Sequence, residues 1–341
     1  RGLPPRRSRR AGALTHVVIV RWGLHELPGV LAEVTIERPV LVTTRRWTTL
    51  EVPAAAVFDG VHPHVPHESV EAAVAAAMGH DGLVAVGGGS AIDTAKAVSA
   101  RLGLPVVSVP TTYSGAEWTT GFAIRDEARG LKQGATGARP VAIVYDPELT
   151  LSLPRRETGG TAMNALAHCA EALYVRGRNE EADVHALTGA RAIGQALPRV
   201  LADGSDRLAR SELLEAAMHA GAALAGAGLG LGHAMAQALG GRYGIAHGAL
   251  NAVCLPPALR FNAVVAPDAI ARLAEAMGVA DAAAEAEALA RAAGFERLRD
   301  LGVHEDDLDE VARAAAKRAG AKMNPRPAEP AEIADLLRSV W

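Results

Sequence analysis

Two hydrophobic patterns divide the chain. Up to about residue 150, short runs of consecutive apolar residues alternate with stretches whose apolar positions recur every three or four residues. The runs are Thr15–Val20, Arg38–Thr44, Ala54–Gly60, Asp81–Ser90, Leu104–Thr112 and Ala138–Pro147. Most end on polar residues or glycine, as strands do when a parallel sheet buries both their faces. Between them, His67–Gly79 and Ala91–Gly103 carry helical spacing. Strand, helix and strand at this interval predict βαβ units and a doubly wound, Rossmann-like parallel α/β sheet.

Past LTLSLP (149–154) the β-branched runs vanish. Segments 159–174, 181–197, 210–226 and 267–278 are amphipathic or wholly apolar at helical spacing, the pattern of an all-α bundle. The expected organisation is therefore a flexible leader at 1–12, a dinucleotide-binding domain at 13–150 and an all-helical catalytic domain at 151–341. A formal charge of -3 argues against nucleic acid as a partner. No run nears the ~18 apolar residues of a membrane span. Cys169 and Cys254 cannot build a disulfide framework, so a reducing, cytoplasmic setting is expected.

Candidate chemistry begins at Gly87, Gly88, Gly89 and Ser90, which follow an apolar strand and open a helix. Glycines let backbone approach a phosphate, and the free N–H groups of a helix start donate to its oxygens. That helix carries Asp93 and Lys96, read as an acid and a base facing different ways. Thr111, Thr112 and Ser114 cluster after the next strand, where ligands of such sheets bind. The strand ending at Thr44 is followed by Arg45 and Arg46, which suit the 2′-phosphate of NADPH. Both NADH and NADPH remain open.

Asn164 and His168 share a helical face, Gln237 lies one turn past His233, and His247 follows in GIAHGALNAV. Three histidines in apolar, glycine-flanked stretches suggest a site. A divalent metal would want a carboxylate with them, and Asn164 is neutral where that charge is needed.

GGGSAIDTAKA, VPTTYSGAE, VYDPELTLSLP, the Asn164/His168 pair and the His233-to-His247 spacing together resemble the iron-containing (group III) alcohol dehydrogenase superfamily. LPPALRFN and NPRP continue the resemblance, which covers nearly the whole chain from about residue 15. Within that superfamily, PTTYSGAE, Asn164, HVP (64–66) and NPRP are most similar to the maleylacetate reductases. The resemblance implies a dinucleotide domain and a helical domain with a cleft between, usually as a homodimer. It implies NADH or NADPH as cofactor, contacted by Gly88, Gly89, Ser90, Thr111, Thr112, Lys132, Leu149 and Leu153. His168, His233 and His247 match the histidines of the metal-dependent relatives, while an asparagine at 164 implies reduction without a metal.

The implied reaction is reduction of maleylacetate, or a close analogue, to 3-oxoadipate in the degradation of aromatic compounds. Its two carboxylates ask for cations. Arg242 is the first candidate and Arg326 the second, with Tyr113 placed to hydrogen-bond the substrate. One alternative is a metal-dependent alcohol or aldehyde dehydrogenase holding Fe or Zn on Asn164, His168, His233 and His247. A second is an NAD-using lyase of the dehydroquinate-synthase type.

Overall fold

A computed structural model describes residues 18–126, 131–137 and 140–341, with 126 and 131–133 described by backbone alone. The expected leader lies outside these residues, as does the start of the first strand run. The strands are β1 (Ile19–Trp22), β2 (Pro39–Val42), β3 (Ala56–Phe58), β4 (Gly82–Gly87), β5 (Val106–Pro110), β6 (Gly121–Asp126), β7 (Leu131–Thr136) and β8 (Ala142–Tyr145). Six of them form one sheet in the order β1-β8-β5-β4-β2-β3, every neighbouring pair parallel. Helices α1 (Leu27–Glu33), α2 (His67–Ala77) and α3 (Gly89–Leu102) accompany it.

The alternation of strand side chains sorts the core into two layers. Val84, Val86, Val107 and Val109 pack with Leu27, Val30 and Leu31 of α1 on one face. Leu83, Ala85 and Val106 pack with α2 and α3 on the other, through Ala73, Ile92 and Val98. Central strands β4, β5 and β8 are buried throughout, whereas β1 and β3 are the partly exposed edges. The apolar runs therefore correspond to strands. The sequence pattern missed β6 and β7, an antiparallel pair outside the main sheet.

The second half is helical: α4 (Arg155–Ala172), α5 (Glu180–Ala202), α6 (Arg207–Ala227), α7 (Leu231–Tyr243), α8 (His247–Ala263), α9 (Pro267–Met277), α10 (Ala282–Ala292), α11 (Leu308–Ala316), α12 (Ala319–Met323) and α13 (Pro330–Ser339). Small residues let α4 run through the middle of this bundle. A Cβ on Gly248 would lie 2.5 Å from the carbonyl carbon of Gly160. Only glycine there allows α8 to approach α4 so closely, and this draws His247 and Asn251 towards Asn164 and His168. Ile143 and Tyr145 of β8 join the helical core, so sheet and bundle share one packed contact. None of the described helices is long and apolar enough to cross a membrane.

Candidate active site

The loops at the carboxyl ends of β4 and β5 meet over the start of α3. Gly87 has φ +152°, and a Cβ on it would sit 2.7 Å from that of Ala91. Such a turn needs glycine. Gly88 precedes the first turn of α3, and a Cβ there would meet Thr112 Cγ2 at 2.9 Å. Ser114 Oγ lies beside Gly89. The hydroxyls of Thr112 and Ser114 are buried without a hydrogen-bond partner among the described residues. Bare backbone, a helix start and two buried hydroxyls in need of acceptors fit a phosphate.

Ser90 stands in the first turn of α3, where its carbonyl accepts from Thr94 at 2.8 Å. Thr111 is buried, and its N–H donates to the Gly87 carbonyl at 3.0 Å, tying the two loops together. Asp93 and Lys96 do not face different ways. They form an ion pair of 3.0 Å, and the buried Lys96 Nζ also donates to the carbonyls of Ala116 and Gly121. A buried ammonium must be paired and hydrogen-bonded, and this one supports the loop after Ser114. Leu149 packs into the sheet core, and Leu153 packs against the helical core. The side chain of Lys132 lies outside the described residues. Arg46 donates to the Ser152 carbonyl at 2.8 Å, and Arg45 is exposed, 4.0 Å from Asp59.

From Ser114 the same loop reaches the helical domain. Its carbonyl accepts from Asn164 Nδ2 at 3.0 Å. A Cβ on the next residue, Gly115, would be 3.4 Å from His168 Nδ1. The His168 and His233 rings stack with centroids 4.7 Å apart and planes at 15°; His247 follows 5.5 Å from His233. The three imidazoles proposed from the sequence thus converge, each from a different helix.

Two residues that the sequence reading missed organise them. Glu171, wholly buried on α4, accepts from His233 Nδ1 at 2.7 Å and from the backbone N–H groups of Gly230 and His233. Asn251 of α8 donates to Asn164 Oδ1 at 2.7 Å and to His247 Nε2 at 3.0 Å. The remaining nitrogen of His233 faces Asn164 Oδ1 at 3.3 Å. Both ring nitrogens of His233 therefore face oxygen acceptors, one of them a carboxylate. His247, accepting at Nε2, is a neutral ring protonated at Nδ1. Burial, and then the neighbouring imidazoles of His233 and His247, hold His168 well below the ordinary imidazole pKa. Gln237 lies one turn beyond His233, partly exposed.

A divalent cation fits this network poorly. Its fourth member is a neutral amide, and the N–H groups of Asn251 point at Asn164 Oδ1 and His247 Nε2, where a cation would need lone pairs. Among the described residues no group of three or more His, Cys, Asp or Glu side chains is arranged to hold a metal.

Other expectations require correction. Tyr113 is fully buried, its hydroxyl accepting from Arg210 at 3.3 Å, so it braces the loop from the core and does not face substrate. Arg242 points away to α11, held by Asp307 at 2.5 Å and Glu310 at 2.9 Å. Arg326 pairs with Glu332 and lies over the Phe261 ring. Both guanidiniums are already neutralised.

Residues 15–147 match the family model described as iron-containing alcohol dehydrogenase, and residues 158–341 match that of the family's C-terminal part. A maleylacetate reductase of Burkholderia cepacia is 39% identical over 84% of this chain and 82% of its own. One from Pseudomonas knackmussii is 34% identical over 93% of both chains. The crystal structure of maleylacetate reductase from Rhizobium sp. strain MTP-10005 superposes with a TM-score of 0.87 at 32% identity, covering 95% of this chain and 96% of that one. With its parallel sheet and its helical bundle each matched in order, the chain belongs to the iron-containing alcohol dehydrogenase family.

Proposed function

We propose that the protein is a nicotinamide-dependent reductase of maleylacetate or a close analogue, working without a metal. The observation that carries this reading is the loop 111–115, which is hydrogen-bonded to the glycine turn through Thr111 and runs beside His168 at Gly115. A cofactor on the cradle would have its reactive end beside the imidazoles. Identity of 34–39% to maleylacetate reductases over most of the chain supports the same substrate. Reduced nicotinamide, when bound, supplies a hydride.

This chain's residues do the rest. Hydride adds to the alkene carbon β to the ketone, and the displaced π pair moves to the ketone oxygen as an enolate. His233, held by Glu171, stabilises that oxygen; removing one such donor typically costs about 3–4 kcal/mol. His247 is the imidazole that remains partly exposed, so it is the one positioned to take a proton from solvent and pass it on. Protonation at the carbon α to the ketone completes reduction. An enolate needs less Lewis acid than a simple carbonyl, which suits Asn164 in place of a carboxylate. We further propose a homodimer.

Oxidation of NADH and NADPH with maleylacetate, set against simple aldehydes, with and without chelator, tests this. Turnover of maleylacetate alone, insensitive to chelator, is expected. Aldehyde reduction restored by Fe²⁺ or Zn²⁺ would select the metal-dependent dehydrogenase, and absence of net cofactor consumption would select the lyase.

A further inference from the structure

With Arg242 and Arg326 paired elsewhere, a diacid still needs a cation. The guanidinium of Arg318, at the start of α12, reaches along α7 until its Nη2 lies 3.4 Å from where a Cβ on Gly241 would stand. Its Nε is buried without a hydrogen-bond partner among the described residues. Arg210 makes the contrast. It is fully buried and satisfied by two carbonyls, a tyrosine hydroxyl and a threonine hydroxyl. Burial pulls the Arg318 pKa down, the reverse of the carboxylate-paired Arg242.

Position along α7 gives that charge a purpose. His233, Gln237 and Gly241 recur at helical spacing within one half of the helix surface, and Gly244 caps its carboxyl end. Eight residues separate His233 from Gly241, ~12 Å along the axis. A second cation borders the same strip. Arg125 of β6 has Nη1 3.0 Å from a Cβ on Gly244, and its backbone N–H is anchored on the Val65 carbonyl. Gly241 costs the helix ~1 kcal/mol relative to alanine, yet it leaves room for the Arg318 guanidinium. The α7 carboxyl end attracts cations in any case. The Arg318 Nε still lacks an acceptor among the described residues, and a carboxylate would supply one.

We propose that Arg318 receives the substrate carboxylate remote from the reduced carbons, with Arg125 adding charge from the sheet domain, and so selects diacids. This rests on the reductase reading above. The test compares wild type, Arg318→Met, Arg318→Lys and, as control, Arg242→Gln. Substrates are maleylacetate and 4-oxopent-2-enoate, which lacks only the far carboxylate. Arg318→Met is expected to raise KM for maleylacetate about 10- to 100-fold, the size of a lost charge-assisted hydrogen bond, with kcat little changed. KM for 4-oxopent-2-enoate should stay at the wild-type value, Arg318→Lys should recover part of the loss, and Arg242→Gln should match wild type. Equal effects on both substrates, or none on maleylacetate, overturn the assignment. Titration of adipate against hexanoate separates the two readings. If wild type fails to reduce maleylacetate, the reductase reading falls. Arg318 is then judged by whether Arg318→Lys and Arg318→Met weaken adipate about 10-fold or more while sparing hexanoate.

Discussion

The glycine cradle and the imidazole cluster sit at opposite ends of one short loop and are built on opposite principles. The cradle is made of absent side chains: its N–H groups come with any backbone, and what matters is that nothing grows at residues 87 to 89. The cluster is made of side-chain identity, with His233, Glu171, Asn164 and Asn251 locked in a buried network. Bulk damages the first and loss of charge damages the second. A site needing both draws on two domains, because the carboxyl ends of the sheet strands supply free backbone while a helical interior supplies dry, fixed dipoles.

The largest effect should come from the cluster. Glu171→Gln keeps the shape but removes the charge beside His233, and kcat should fall about 10²–10³-fold. Stability should drop by ~3 kcal/mol, as when a buried pair loses one partner. Stopped-flow turnover and urea midpoints would measure both; unchanged kcat would remove His233 from the chemistry. In the cradle, Gly88→Ala forces a methyl towards Thr112, costing about 1–3 kcal/mol. Cofactor affinity should then weaken ~10–100-fold in a fluorescence titration, with folding intact.

The two regions should also respond to pH with opposite sign. His168 resists protonation when folded, so its contribution to stability is whole above an ordinary imidazole pKa of ~6.5. Below that it drains by up to ~1.4 kcal/mol per pH unit as the unfolded chain takes the proton. Glu117, on the loop after the cradle, is buried against Tyr145 and raised from 4.5 to about 6. Its contribution is greatest below pH 4.5 and lost as pH rises to about 6, a cost of ~2 kcal/mol above that. Urea midpoints from pH 4 to 8 should show Glu117→Gln gaining ~2 kcal/mol at the alkaline end alone. His168→Gln should flatten the acid limb.

The smallest effect is at the join. Tyr113→Phe removes the hydroxyl that Arg210 reaches, costing ~1 kcal/mol of stability and leaving kcat/KM within about threefold. A large fall in kcat would restore Tyr113 to the reaction.

Much of this arrangement was legible along the chain, for local reasons. Strands such as Val106–Pro110 are buried on both faces, so each announces itself as an apolar run. The glycine turn is legible because backbone close to a phosphate leaves only glycine. Strands β6 and β7 were not, since GFAIRD and LKQGAT show no clean alternation of apolar and polar positions. Glu171 reads as a solvated charge on an alanine-rich helix. Its burial depends on Gly230 and His233, residues 59 and 62 positions away.

Periodicity and glycine placement, which are properties of neighbouring residues, were enough to specify a parallel sheet, a helical bundle and three candidate histidines. Which charges end up paired was settled by contacts between distant segments. Arg242 fell to Asp307, 65 positions away, and His233 to Glu171. A charge's role depends on which opposite charge packing brings within ~4 Å, and no local pattern encodes that partner.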